Sequence, residues 1–149
     1  MPDFNSDIIG CLQELKEGRP VLIHTEAGWL LAADARTPAP FFERVNRPVL
    51  MLADARDLFV YLSAPPLNIM DELESDVLPT AHLVTGVLDV DNSWLDENQG
   101  IAVTLARDEF SLHLVKRFRH PLVLLPVTEW NGFRAGQYCK ALSQGFLFT

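Results

Sequence analysis

Apolar positions along this chain change period several times, and each change marks an element. Ile8, Ile9, Leu12 and Leu15 fall on one helical face; Ser6 can cap that helix, and Gly18 and Pro20 end it. Two strand-like runs follow closely, at 21–24 and 28–33. Phe41, Phe42 and Val45 share a face in a short helix expected over 38–45. Residues 48–53 make the most strand-like run of the first half, and Asp54 is placed to cap a helix continuing through Leu62. Pro65 and Pro66 break the chain. Leu67, Met70 and Leu73 return at helical spacing over 67–74, and 81–90 reads as a strand rich in β-branched residues. Residues 89–100 form a polar, acidic loop around a single Trp94, followed by a strand at 101–105. Asp108 can cap a helix over 109–118 whose apolar side is Phe110, Leu112, Leu114 and Val115. A buried strand at 121–127, a short helix within 135–142 and an edge strand at 146–148 complete the pattern.

Strands and helices alternate, but some strands neighbour each other directly. The pattern therefore predicts an α/β chain of the α+β kind, a twisted mixed sheet with helices packed on it. No Pro/Gly/Ser-rich linker and no internal repeat divides the sequence, so residues 1–149 read as one domain. With 48% hydrophobic residues the composition is globular. The first six residues have no basic n-region or apolar h-region, and no apolar run is long enough to span a bilayer, which points to a cytoplasmic protein. Cys11 and Cys139 lack C-x-x-C spacing and read as reduced, packed thiols.

A net charge of −8 argues against a general nucleic-acid binder, which needs Lys and Arg to displace phosphate counterions. The one basic cluster, Lys116, Arg117, Arg119 and His120, closes the helix over 109–118, where cations complement the helix C-terminus. The chain has no G-x-G-x-x-G, no G-x-x-x-x-G-K-[ST] and no G-x-S-x-G. His24, His82, His113 and His120 lack metal-ligand spacing, and no metal site is expected. Asp89-Val-Asp91-Asn92-Ser93 opens like a calcium loop, but Trp94 stands where that loop requires glycine and the closing glutamate is absent.

The stretch His24-Thr25-Glu26-Ala27-Gly28-Trp29-Leu30-Leu31-Ala32-Ala33-Asp34-Ala35 follows Leu15-Lys16-Glu17-Gly18 and the run 20–23. It resembles the opening of the YrdC-like family, the threonylcarbamoyl-adenylate synthases, in which L-x-x-G precedes a strand and then P-T-[DE]-T-x-[WY]-G-L-x-x-D-A. Residues 47–58 are similar to the family's R-P-x-x-L-x-x-D-x-x-x-L. Residues 100–118, with Arg107-Asp108-Glu109-Phe110 and Lys116-Arg117-Phe118, resemble I-G-I-R-V-x-x-D-E-F…L-x-x-R-F, and Pro121-Leu122-Val123 resembles the P-I-V leading into S-T-S-A-N. The pieces come in the family's order over most of the chain. The resemblance implies a YrdC-like (DHBP synthase-like) fold, a twisted mixed sheet around an open cavity. It also implies the family's reaction, which joins L-threonine, bicarbonate and ATP into threonylcarbamoyl-AMP for tRNA modification. Some members are described as binding double-stranded RNA on a basic concave face.

The sequence departs from the family where phosphate is held. The K-x-R motif falls on the shortened Phe42-Glu43-Arg44-Val45-Asn46-Arg47-Pro48, which has no lysine, and a guanidinium fork does not replace an ammonium one for one. S-T-S-A-N falls on Leu124-Leu125-Pro126-Val127-Thr128, leaving one hydroxyl, at Thr128. The arginine of I-G-I-R falls on Thr104, the second threonine of P-T-E-T on Ala27, and the glycine after the aromatic on Leu30; His24 replaces the proline. ATP bound without a phosphate loop needs several cations and donors in one cavity. No catalytic residue is assigned, and the ligand-binding candidates are Thr25, Glu26, Trp29, Arg44, Arg47 and Thr128. The expected function is that of a divergent family member without the synthase reaction, acting as a module for a small ligand or a protein partner. Two alternatives stand beside it. One is an active synthase using ATP and Mg, which needs Arg44, Arg47 and Arg107 or Arg134 to converge near Thr25. The other is a double-stranded RNA-binding module, which the acidic charge disfavours.

Overall fold

The computed structural model describes residues 4–38, 47–126, 129–130, 139–140 and 146–148. Helix α1 (Phe4–Lys16) starts two residues before the expected cap at Ser6. It is followed by β1 (Val21–Thr25) and β2 (Gly28–Asp34), which form an antiparallel hairpin with Thr25 opposite Gly28. Strand β3 (Val49–Leu52) leads to Asp54, which caps as expected. The helix expected through Leu62 is divided, however, into a 3₁₀ turn at Ala55–Asp57 and one α-turn, α2 (Leu58–Tyr61). A capping box explains the tight start: the Asp54 carboxylate accepts from the Arg56 amide, and the Asp57 carboxylate reaches back to the Asp54 amide at 3.2 Å.

Helix α3 (Ile69–Ser75) precedes β4 (Thr80–Thr85). The strand expected over 81–90 stops at Thr85 because Gly86 takes a left-handed conformation, φ 76°, and turns the chain. A Cβ there would sit 2.7 Å from the Ser63 hydroxyl, which would have to rotate away to make room. The loop after it is less open than its polarity suggests. Asn92–Trp94 forms a 3₁₀ turn, and Trp94 is buried with its indole N–H donating to the Thr37 carbonyl at 2.7 Å.

Strand β5 (Gly100–Leu105) and helix α4 (Glu109–Phe118) follow, with Asp108 capping α4 by accepting from the Ser111 amide. The buried side of α4 is Ser111, Leu114, Val115 and Phe118; Phe110 and Leu112 only flank it. Strand β6 is Leu122–Pro126. Beyond it β7 (Glu129–Trp130) and β8 (Cys139–Lys140) pair antiparallel. Residues 139–140 are therefore a strand where a helix within 135–142 was expected, because cross-strand pairing overrides the local helical spacing. The helix expected over 38–45 falls, apart from Pro38, outside the described residues. Strand β9 (Leu147–Phe148) is the expected edge strand.

Among the described residues the main sheet has seven strands in the order β1-β2-β6-β3-β5-β4-β9. It is mixed: β3 runs parallel to β5 and β4 parallel to β9, while the other pairs are antiparallel. Helices α1 and α4 cover one face, where Ile8, Leu15, Ile23, Leu30, Met51 and Leu114 are buried. On the other, Leu31, Leu50, Leu58, Leu73, Trp94 and Val123 pack beneath α2 and α3. A sheet covered on both faces explains the continuous apolar runs in β3 and β6. Each such Leu or Ile contributes about 2 kcal/mol through burial.

Candidate functional site

The strand registers bring three segments to one end of the sheet. Leu30 faces Pro126, and Leu124 faces Val49, so the tip of the β1–β2 hairpin, the end of β6 and the start of β3 lie together. These segments carry Thr25, Glu26, Trp29 and Arg47, which the fold, not sequence proximity, brings to one end of the sheet.

At the hairpin tip Thr25 is buried. Its hydroxyl donates to the Gly28 carbonyl at 2.9 Å and accepts from the Ala27 amide at 3.0 Å. The side chain thus closes the two-residue turn, and Gly28, at φ 93°, supplies the left-handed residue such a turn needs. Glu26 is exposed at the tip. Trp29 is half-buried and meets the ring of His24, its direct cross-strand partner, edge to face at 5.0 Å between centroids. Thr25 shares a side of β1 with Ile23, in the α1/α4 layer, whereas Trp29 lies on the opposite side of β2 from Leu30. The motif's surviving residues therefore serve two faces.

Arg47 is exposed at the start of β3, and its guanidinium lies over the Phe148 ring, 3.7 Å from the centroid. The last strand of the sheet thus supplies a surface on which this cation rests. Arg44 and Thr128 lie outside the described residues, as does Arg134. Arg107 is at the other end of the sheet: β5 runs from Gly100 toward it, and its guanidinium donates to the carbonyls of Leu73 and Asp76, ending α3. It does not converge on Thr25.

Positions that the resemblance aligns with the family's motif residues are built into the interior. Thr104 is buried and donates its hydroxyl to the Thr80 carbonyl at 2.9 Å, stitching β5 to β4. Leu124 and Leu125 are buried in the two opposite cores, and Leu30 beside them is 1% exposed.

Sequence reasoning missed one polar cluster. His82 in β4 has Nε2 2.8 Å from the Asp76 carboxylate and Nδ1 3.5 Å from that of Glu72, with Arg107 closing the group 3.9 Å from Asp76. It pins α3 to β4. Its only sequence signal is an acidic run ending at Asp76, six residues before a histidine in a strand. Among the described residues no group of three or more His, Cys, Asp or Glu side chains is arranged to hold a metal, and no helix is long and apolar enough to cross a membrane.

Neither a family model nor a curated protein matches the sequence. Solved structures do match the fold. The Sua5 protein of P. abyssi complexed with L-threonine superposes with a TM-score of 0.67 at 19% identity, over 85% of this chain and 39% of that one. E. coli YciO gives 0.62 at 15% identity, over 83% and 64%. Full-length HypF in its phosphate- and nucleotide-bound form gives 0.64 at 19%, over 79% and 20%. The chain has a YrdC-like fold and spans about two fifths of the length of the Sua5 chain.

Proposed function

We propose that this protein is a YrdC-like binding module, acting in the cytoplasm, that has given up the synthase reaction and engages a partner protein in place of ATP and threonine. The reading is carried by Arg47. The one described cation inherited from the phosphate motif sits over Phe148, its guanidinium carbon 3.7 Å from the ring centroid. Three further observations support it. The Thr25 hydroxyl is committed to its own turn, Thr104, which stands where the family's I-G-I-R has arginine, is committed to an internal hydrogen bond, and Leu30, Leu124 and Leu125 fill the sheet interior.

The test is pyrophosphate release by the purified protein with ATP, magnesium, bicarbonate and L-threonine. No threonine-dependent release is expected, and no rise in Tm with ATP or with L-threonine. Threonine-dependent release that Arg47→Gln abolishes would overturn the reading and establish an arginine-based synthase. Salt-sensitive retention of double-stranded RNA would overturn it in favour of the RNA-binding alternative.

A further inference from the structure

At the opposite end of the sheet from Thr25, an open cleft of about 350 Å³ lies between the end of β3 and the end of α4. Leu52 and Pro121 form its floor; Asp54, Arg56, Asp57 and Tyr61 make one wall, and Lys116, Arg119 and His120 the other. The size suits a small organic molecule. This is the basic cluster that closes α4, but only part of it serves the helix end. Arg117 turns away and donates to Asn5 in α1 at 2.8 Å. Arg119 has already left the helix in a left-handed conformation, φ 69°, which directs the chain toward β6 across the mouth of the cleft.

The charges in the cleft do not cancel. Both carboxylates are engaged from their own side: Asp54 by the Arg56 amide at 2.9 Å and its guanidinium at 3.2 Å, and Asp57 by the Asp54 amide. Asp54 is accordingly held below the ordinary carboxylate range, first by the Arg56 hydrogen bond and least by the positive charge of Lys116. Tyr61 is raised, chiefly by burial and then by Asp57, and so stays a phenol donor. Among the described residues Lys116 and Arg119 reach no carboxylate within 4.0 Å. Three permanent cations thus line the cleft against two occupied carboxylates, in a chain whose net charge is −8. A cationic cleft on an acidic molecule is an electrostatic outlier that attracts small anions by focusing the field.

We propose that this cleft binds a small phosphomonoester whose carbon part carries hydroxyl groups. Lys116 and Arg119 take the phosphate, as an ammonium point charge and a guanidinium fork. The Asp54–Asp57 wall accepts from the hydroxyls, and the Tyr61 phenol donates to one of them. The site is separate from the hairpin end and does not depend on the fate of the synthase reaction.

The experiment is titration of the full chain with ribose 5-phosphate, inorganic phosphate and ribose, read by calorimetry and by the shift in Tm. Ribose 5-phosphate is expected to bind saturably and more tightly than either fragment, and to weaken as salt rises. The double variant Lys116→Gln/Arg119→Gln should lose at least about tenfold in affinity. Arg117→Gln removes the same kind of charge from the same helix outside the cleft and should leave affinity unchanged. Both variants are at exposed positions, and their folding is checked by Tm without ligand. No saturation by about 10 mM ribose 5-phosphate, equal weakening by Arg117→Gln, or equal affinity for inorganic phosphate would each overturn the proposal.

Discussion

The guanidinium of Arg47 and the ring of Phe148 are stacked at 3.7 Å, joining the start of β3 to the last strand of the sheet. Phe148 also packs against the α1/α4 core, so the contact anchors β9, whose only backbone partner among the described residues is β4. A double-mutant cycle with Arg47→Ala and Phe148→Leu, followed by urea unfolding, should give a coupling energy of about 0.5–2 kcal/mol. Strict additivity would mean that the stacking contributes nothing to stability.

Thr25 is expected to behave as a turn residue. Thr25→Val keeps the shape but strands the Ala27 amide and frees the Gly28 carbonyl, and should cost about 1–3 kcal/mol. Thr25→Ser keeps both bonds and should stay within about 1 kcal/mol of the parent. Thermal and denaturant unfolding of the two variants measures the difference directly.

Ser111 offers the reverse case. It is fully buried beneath α4, and among the described residues its hydroxyl has no hydrogen-bond partner. Ser111→Ala removes the desolvation cost of that oxygen and improves helix propensity. It should raise stability by about 0.5–2 kcal/mol. A loss of stability on denaturant unfolding would show that the hydroxyl is satisfied.

Acid sensitivity should reside partly in Asp91. Its carboxylate accepts from the Ser93 amide at 3.0 Å, which holds its pKa below the usual range. A group depressed in the native state stabilises above its unfolded pKa, near pH 4, and that contribution disappears as pH falls through the native value. Asp91→Asn still caps the turn that carries Trp94 but cannot titrate. Its stability at pH 7 should match the parent within about 0.5 kcal/mol, and its loss of stability below about pH 4 should be shallower. A pH series of urea unfolding curves compares the two.

Local chemistry was the most legible part of the sequence. Asp108 and the spacing after it place α4 at Glu109–Phe118, as observed, and β5 and the hairpin strands fall within a residue or two of their expected bounds. What local spacing cannot supply is partnership. Nothing around Leu122 indicates that β6 inserts between β2 and β3, and nothing around residues 139–140 indicates a strand, because each depends on a distant segment. The same limit applied to the site. Thr25 and Arg47 were found by resemblance, but that the first is saturated by its own turn and the second rests on Phe148 follows only from the folded geometry. Lys116 and Arg119 read as helix-end cations, and only the position of the Asp54 turn across from them makes a cleft.

The placement of β6 also has a kinetic meaning. Without it the main sheet falls into two separate pieces, the β1–β2 hairpin and the β3-β5-β4-β9 group, each with an inner edge lacking a neighbour. Joining them requires position 30 to meet position 126, a contact of high sequence separation that slows the search for the native state. On the ribosome most of the chain must emerge before its halves can be zipped together, and until then two apolar edges remain open to other molecules. Closure of the sheet therefore waits on one five-residue strand.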